Sequence, residues 1–481
     1  MSSILLVVGF LLKILAISML IPASFAFFGD VNGSTFFFFA AITFAIGFLL
    51  VILNHKTGRA QVLSLKQTFI LTNLVWIICT IFASLPLYFS NLGLSYTNVF
   101  FESISGLTAT GATILTDIDS IKSQSILIWR CMLQWLGGIG IIVVALSILP
   151  MLKIGGLQLF RTESSDNSEK TLPRTTQIAL NITLIYIIFT SICAASLYFA
   201  GMNIFDAVCH AMTAVATGGF SNYSASIGYF NSARIEMIIC VFMFLSALPY
   251  VMYIKAIHGN KNIFKSSQVK FYIILIIFFV SITAVILYFH SNYAILESLR
   301  YATFNVISII TTTGFASIDY YHLWGNSMIT LIFMISAIGG CTGSTSGGIK
   351  IFRFQILLQT ARAQMNQLVK PHGIFLVRAH GKVVEDKAIN AVMNYMILFA
   401  LCFVIISIML AVMELDYITA MSATLATLAN IGPGLGEIVG PAGSYFPLPD
   451  MAKWILSFAM LLGRLELFTV LILLSPYFWR K

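Results

Sequence analysis

The chain has 481 residues, 59% of them hydrophobic and 9% charged, where soluble domains carry roughly 25% charged residues. With a mean hydropathy of +0.94, that excludes an ordinary soluble domain and makes lipid or other apolar segments the solvent for most of the chain. The net charge of +9 sits mostly in polar connectors and the seven cysteines are scattered singly, so no nucleic-acid surface, disulfide framework or zinc site is expected.

Ten apolar stretches approach the length of about 20 residues that a bilayer crossing needs. They lie near 4–27, 35–53, 68–90, 125–150, 177–200, 235–257, 271–290, 326–348, 389–413 and 452–476. The first resembles a cleavable leader, because Ser24 and Ala26 follow an apolar run; Lys13 and the length of the run favour a retained helix. The connectors alternate between two faces. One face, built from 55–66, 151–175, 255–270, 350–387 and the C-terminus, holds 20 of the 27 Lys and Arg residues. It is the cytoplasmic face by the positive-inside rule, so both termini are expected in the cytoplasm. The opposite face carries acids such as Asp117, Asp206, Asp319 and Glu437; these read as solvated surface groups that attract cations to the mouth.

Four stretches repeat one pattern, in which a short apolar helix runs into small or hydroxyl residues and then a glycine. They are Thr108-Ala109-Thr110-Gly111, Val215-Ala216-Thr217-Gly218, Thr311-Thr312-Thr313-Gly314 and Ala429-Asn430-Ile431-Gly432. Each falls between two spans on the acidic side. The expected architecture is an all-α integral membrane protein of ten transmembrane helices with four re-entrant pore loops in pseudo-fourfold arrangement. An N-terminal helix pair (1–60) would precede pore repeats at 61–150, 151–260, 261–370 and 371–481.

Non-helical backbone at membrane depth must line water or ions, because lipid cannot satisfy its carbonyls. Four such loops around one axis supply a ring of oxygens able to replace the hydration shell of a monovalent cation. Half-helices such as 98–107 and 206–214 would aim their negative C-terminal ends at that ion. The loops carry no carboxylates of the kind a calcium or magnesium site needs. The expected cation site is therefore Thr110, Gly111, Thr217, Gly218, Thr313, Gly314, Ile431 and Gly432, with potassium as cargo and no covalently held cofactor.

Further runs carry a resemblance. Trp135-Leu136-Gly137-Gly138-Ile139-Gly140, Phe160-Arg161-Thr162-Glu163, Ala216-Thr217-Gly218-Gly219-Phe220-Ser221, Thr312-Thr313-Gly314-Phe315 and Leu462-Gly463-Arg464-Leu465-Glu466 join the four loops. With them the chain resembles the TrkH/KtrB superfamily of potassium transporters, in its TrkH branch, over nearly its whole length. The resemblance implies potassium uptake across the inner membrane and a homodimer. It also implies a cytoplasmic TrkA-like nucleotide-binding regulator docked beneath. The fourth loop, Asn430-Ile431-Gly432-Pro433, departs most from the Thr-Gly pattern.

Residues 339–350 read Gly-Gly-Cys-Thr-Gly-Ser-Thr-Ser-Gly-Gly-Ile-Lys, too glycine-rich for a stiff helix. The resemblance implies an intramembrane gate here, carried by Gly343, Ser344, Thr345, Gly347 and Gly348. A phosphate-binding loop is a rival reading, but Ile349 and Lys350 break its Gly-Lys-Ser/Thr pattern. A nucleophilic Ser344 or Ser346 is another, but it needs a base, and only His210 is expected within the membrane, on the opposite side. Tight helix packing is the third. Arg464, expected in mid-span, should face the pore or a partner; the resemblance implies a cation barrier touching the 339–348 loop. Arg130 reads as a packing or snorkelling arginine, and Lys350, Arg353 and Arg362 as the cytoplasmic mouth. A proton- or sodium-coupled symporter is the rival within transport.

Overall fold

The computed structural model describes residues 2–55, 64–147, 175–259, 266–290, 293–379 and 382–480. The Phe160–Glu163 run and the repeat limits near 60, 150 and 260 lie outside these residues. Helices dominate, and the described residues contain one two-stranded ribbon, Arg378–Ala379 against Lys382–Val383.

Helices α1 (Ser2–Ser24) and α2 (Val31–His55) form the N-terminal pair. They cross at Gly9 and Gly47: a β-carbon on either would sit 2.8 Å from the other's carbonyl oxygen. Such close approach suits glycine where helices pack in lipid. Between them Asp30 accepts from the Ser125 amide and the Ser123 hydroxyl, both at 2.8 Å. Burial works against its charge, but these bonds outweigh it and hold the carboxyl below its usual range.

The four repeats follow. The first comprises α3 (Leu65–Tyr88), pore helix α4 (Tyr96–Leu107) and α5 (Gln124–Ser147). The second comprises α6 (Thr175–Phe199), pore helix α7 (Ile204–Val215), α8 (Ala233–Ser246) and α9 (Tyr250–Ile257). The third comprises α10 (Ser267–His290), pore helix α11 (Ile295–Ile310), α12 (Asn326–Ile335) and α13 (Ile351–Val369). The fourth comprises α14 (Asp386–Ala411), pore helix α15 (Tyr417–Leu428), α16 (Asp450–Arg464) and α17 (Leu467–Leu471). The outer helices turn large apolar side chains outward, such as Ile274, Ile277 and Phe278 of α10, as a lipid-facing surface requires.

Each pore helix has a definite start. The Ser95, Asn203 and Asp416 side chains accept from the amides of Asn98, Asp206 and Thr419, occupying donors that would otherwise be orphaned. The third uses Glu297, whose carboxylate reaches back to the Ala294 amide.

Three of the ten expected spans are not continuous helices. The stretch 235–257 bends by 88° between α8 and α9, and 452–476 bends by 117° between α16 and α17. The helix in 326–348 ends at Ile335, where the glycine run begins to take over. Among the described residues seven unbroken helices are long and apolar enough to cross a membrane, and up to nine spans result if each bent pair counts as one.

Candidate functional site

The four loops repeat one backbone geometry. Beyond each pore helix one residue takes a left-handed conformation: Ala109 (φ 49°), Thr217 (50°), Thr312 (56°) and Asn430 (54°). The next residue, Thr110, Gly218, Thr313 or Ile431, donates its amide to the helix carbonyl five back, on Ser105, Thr213, Ser308 or Ala426. Then comes a glycine with φ between 78° and 102°: Gly111, Gly219, Gly314 and Gly432. The second loop therefore differs from the expected alignment. Gly218 stands where Thr110, Thr313 and Ile431 stand, and Gly219 is the counterpart of the other three glycines. Only this register gives all four segments the same turn.

The glycines also fix the order of the repeats around the axis. A β-carbon on Gly111 would strike the Gly218 carbonyl oxygen, one on Gly219 that of Thr313, and one on Gly314 that of Ile431. One on Gly432 would lie 2.6 Å from the Thr110 oxygen, which closes the ring. The four left-handed glycines line a common open vestibule, bordered by Ser221, Ser226 and Tyr445. Thr110, Gly111, Thr217, Gly218, Thr313, Gly314, Ile431 and Gly432 are thus gathered in one ring of carbonyl-bearing segments, with Gly219 added.

A side chain of each pore helix straps the strand outside its glycine. Glu102 accepts from the Ile114 amide at 2.9 Å and Asn305 from the Ser317 amide at 3.3 Å. His210 meets the Ser221 hydroxyl at 3.0 Å, and Ser422 accepts from the Leu435 amide at 2.9 Å. Glu102, His210 and Asn305 each stand nine residues before the left-handed glycine, a spacing visible in the sequence once Gly219 is chosen. Arg130 is not a snorkelling residue. It is 1% exposed and paired with Glu102 at 2.7 Å. Its guanidinium also donates to the Ser221 carbonyl and lies 4.4 Å from the centre of the Phe220 ring.

The 339–348 segment is buried directly against this ring. Thr345 meets Thr217 hydroxyl to hydroxyl at 3.1 Å, and the Gly347 amide donates to the Thr312 hydroxyl at 2.7 Å. The Gly343 carbonyl accepts from the Tyr250 amide at 2.9 Å. Gly348 takes φ 66° and packs on Gly339. Ser344 donates to the Cys341 carbonyl and accepts from the Ser346 amide; among the described residues no histidine bonds to either serine.

Arg464 is buried at the end of α16, donating to the Thr345 carbonyl at 2.8 Å and reaching the Gly137 carbonyl at 3.5 Å. A cation is thus held beside the loop, below the ring. Glu466, in the left-handed region at φ 65°, turns the chain and pairs with Arg353 at 2.6 Å. Lys350 donates to the Ser346 carbonyl. Among the described residues no cluster of His, Cys, Asp or Glu could hold a metal ion.

Sequence reasoning missed Gln134, whose amide bridges the Gly218 carbonyl (2.6 Å) and the Phe220 amide (3.0 Å). Nothing local marks it; it lies on a helix of one repeat and serves the loop of the next.

A family model described as "TrkH: Cation transport protein" matches residues 32–481. The chain is 44% identical over 416 residues to the Trk system potassium uptake protein TrkI of Halomonas elongata, spanning 86% of this chain and 84% of that one. It is 36% identical over 482 residues to the Trk system potassium uptake protein TrkH of Escherichia coli K12, with 99% and 98% covered. The crystal structure of the potassium transporter TrkH from Vibrio parahaemolyticus superimposes with a TM-score of 0.91 at 35% identity, over 100% of this chain and 99% of that one. With a family model over residues 32–481 and this close a structural match, the chain belongs to the TrkH family of cation transport proteins.

Proposed function

We propose that this protein takes up potassium across the inner membrane, both termini in the cytoplasm, through a pore made by repeats 61–150, 151–260, 261–370 and 371–481. The ion is coordinated by carbonyls of Thr110-Gly111, Thr217-Gly218-Gly219, Thr313-Gly314 and Ile431-Gly432. The 339–348 loop and Arg464 gate it from below. The reading rests above all on the closed ring, in which each left-handed glycine abuts a carbonyl of the next repeat. The names of the relatives as potassium uptake proteins agree with it. So does the chemistry: four carbonyl-rich loops without carboxylates suit a monovalent cation.

Gating follows from contact. The loop touches Thr217 of the second repeat, Thr312 of the third and Arg464 of the fourth. Moving it out of the path means exchanging those bonds. A homodimer and a TrkA-like nucleotide-binding regulator at the cytoplasmic face complete the system, the regulator biasing the loop through α13, which follows it directly. Among the described residues the buried carboxylates Glu102, Glu236 and Glu466 are each ion-paired, and Asp206 is held by donors from Asn203, Asn222 and Tyr223, which favours conduction over a proton-relay symport.

Gly314→Ser tests the filter. Its side chain would strike the Ile431 carbonyl, and potassium-over-sodium selectivity in flux assays should be lost. Unchanged selectivity removes the assignment.

A further inference from the structure

The second strand of the ring is the only one built on two consecutive glycines, Gly218 and Gly219, where the others have Thr110-Gly111, Thr313-Gly314 and Ile431-Gly432. Two glycines make the loosest backbone available. The first and third strands stiffen themselves: the Thr108 and Thr110 hydroxyls bond at 2.7 Å, those of Thr311 and Thr313 at 2.8 Å. In the second strand Ala216 and Gly218 occupy those places and have no hydroxyls.

The missing stiffness comes from outside the repeat. Arg130 and Gln134 stand four apart on α5, so both project from one face. Gln134 donates to the Gly218 carbonyl at 2.6 Å and accepts from the Phe220 amide at 3.0 Å. Arg130 donates to the Ser221 carbonyl at 3.1 Å. Three backbone groups within four consecutive residues are thus held by one helix face. Arg130 is itself held by Glu102, whose other oxygen takes the Ile114 amide of the first strand. All three side chains are buried.

The geometry points to Arg130 and Gln134, held by Glu102, as a strut that positions the second filter strand and so sets discrimination between potassium and sodium. A filter tells these ions apart by the spacing and field strength of its carbonyls. A free Gly218-Gly219 strand can move inward to meet the smaller ion; the strut prevents that. The bond from Gln134 also draws on the Gly218 carbonyl and weakens it as a ligand. The inference rests on the filter reading above and adds the residues that position it.

The test uses the full-length protein, purified and reconstituted in lipid vesicles, with initial uptake of potassium and of sodium measured separately. In Gln134→Leu and in the double variant Glu102→Gln with Arg130→Gln, which leaves no buried charge unpaired, the potassium-to-sodium rate ratio should fall by about tenfold or more. Arg130→Lys keeps the charge but not the fork, and its ratio should be intermediate. A purely structural role would lower both rates together with the amount of folded protein. An unchanged ratio in folded variants overturns the proposal, as does failure of all of them to yield folded protein, which would make the strut a folding determinant only. A wild-type protein that does not favour potassium would instead sink the filter reading.

Discussion

Exchanging Gly218 and Gly219 for alanine, one at a time, separates two alignments of the second loop. At Gly219 (φ 78°) an alanine must adopt the left-handed region, at roughly 1–2 kcal/mol. Its methyl also points into the backbone of Thr313 and Gly314, part of the ring itself. Relieving such an overlap by backbone shifts costs roughly 1–3 kcal/mol. The total, about 2–5 kcal/mol, corresponds to a loss of between one and more than three powers of ten. At Gly218 the methyl meets the Gln134 side-chain amide, which can swing aside at the cost of its bonds to the Gly218 carbonyl and the Phe220 amide, about 1–3 kcal/mol. Uptake of radiolabelled rubidium by a bacterium lacking its own potassium uptake systems reads the difference. Gly219→Ala should fall below Gly218→Ala by about tenfold, the roughly 1.5 kcal/mol between the middles of the two ranges. Equal defects, or a worse one at Gly218, would refute the register and return the filter role to Gly218.

Arg464→Ala removes a buried cation and its bond to the Thr345 carbonyl; rubidium flux into vesicles should rise several-fold, and a large fall would refute the barrier role. Arg353→Gln leaves Glu466, 10% exposed, without its guanidinium, a loss of roughly 3–5 kcal/mol for a buried pair. The melting temperature in detergent should drop, and adding Glu466→Gln should recover most of it. Asp30 has a lowered pKa in the folded state. Its contribution to stability is therefore present above the unfolded value of about 3.9 and lost as pH falls through the folded one. Asp30→Asn should lower the melting temperature near neutral pH and narrow its gap to wild type in acid; a constant gap would show that the charge is not what matters.

The architecture was legible because its signals are long or repeated. Twenty apolar residues are hard to misread, and four loops in phase with the topology reinforce one another. The breaks were not. Apolarity says that 452–476 lies in the membrane but not that it bends by 117° at Glu466. That turn is fixed by Arg353, more than a hundred residues away. Pro249, the residue just before α9, is the local hint of the 88° bend. The second loop was ambiguous because Gly218 and Gly219 are chemically identical; the arbiter is the distance from His210. Arg130 read as a packing residue because its partners, Glu102 and the Ser221 carbonyl, belong to other elements. Pairwise contacts across repeats leave no periodic trace in the chain.

Four dissimilar strands in one polypeptide have an evolutionary consequence. In a pore assembled from identical subunits, one codon change alters every side of the ring together, and a mild change is multiplied fourfold. Here a change at Ile431 leaves Thr110, Gly218 and Thr313 as they were. On the proposed filter, ion preference can therefore be altered one strand at a time.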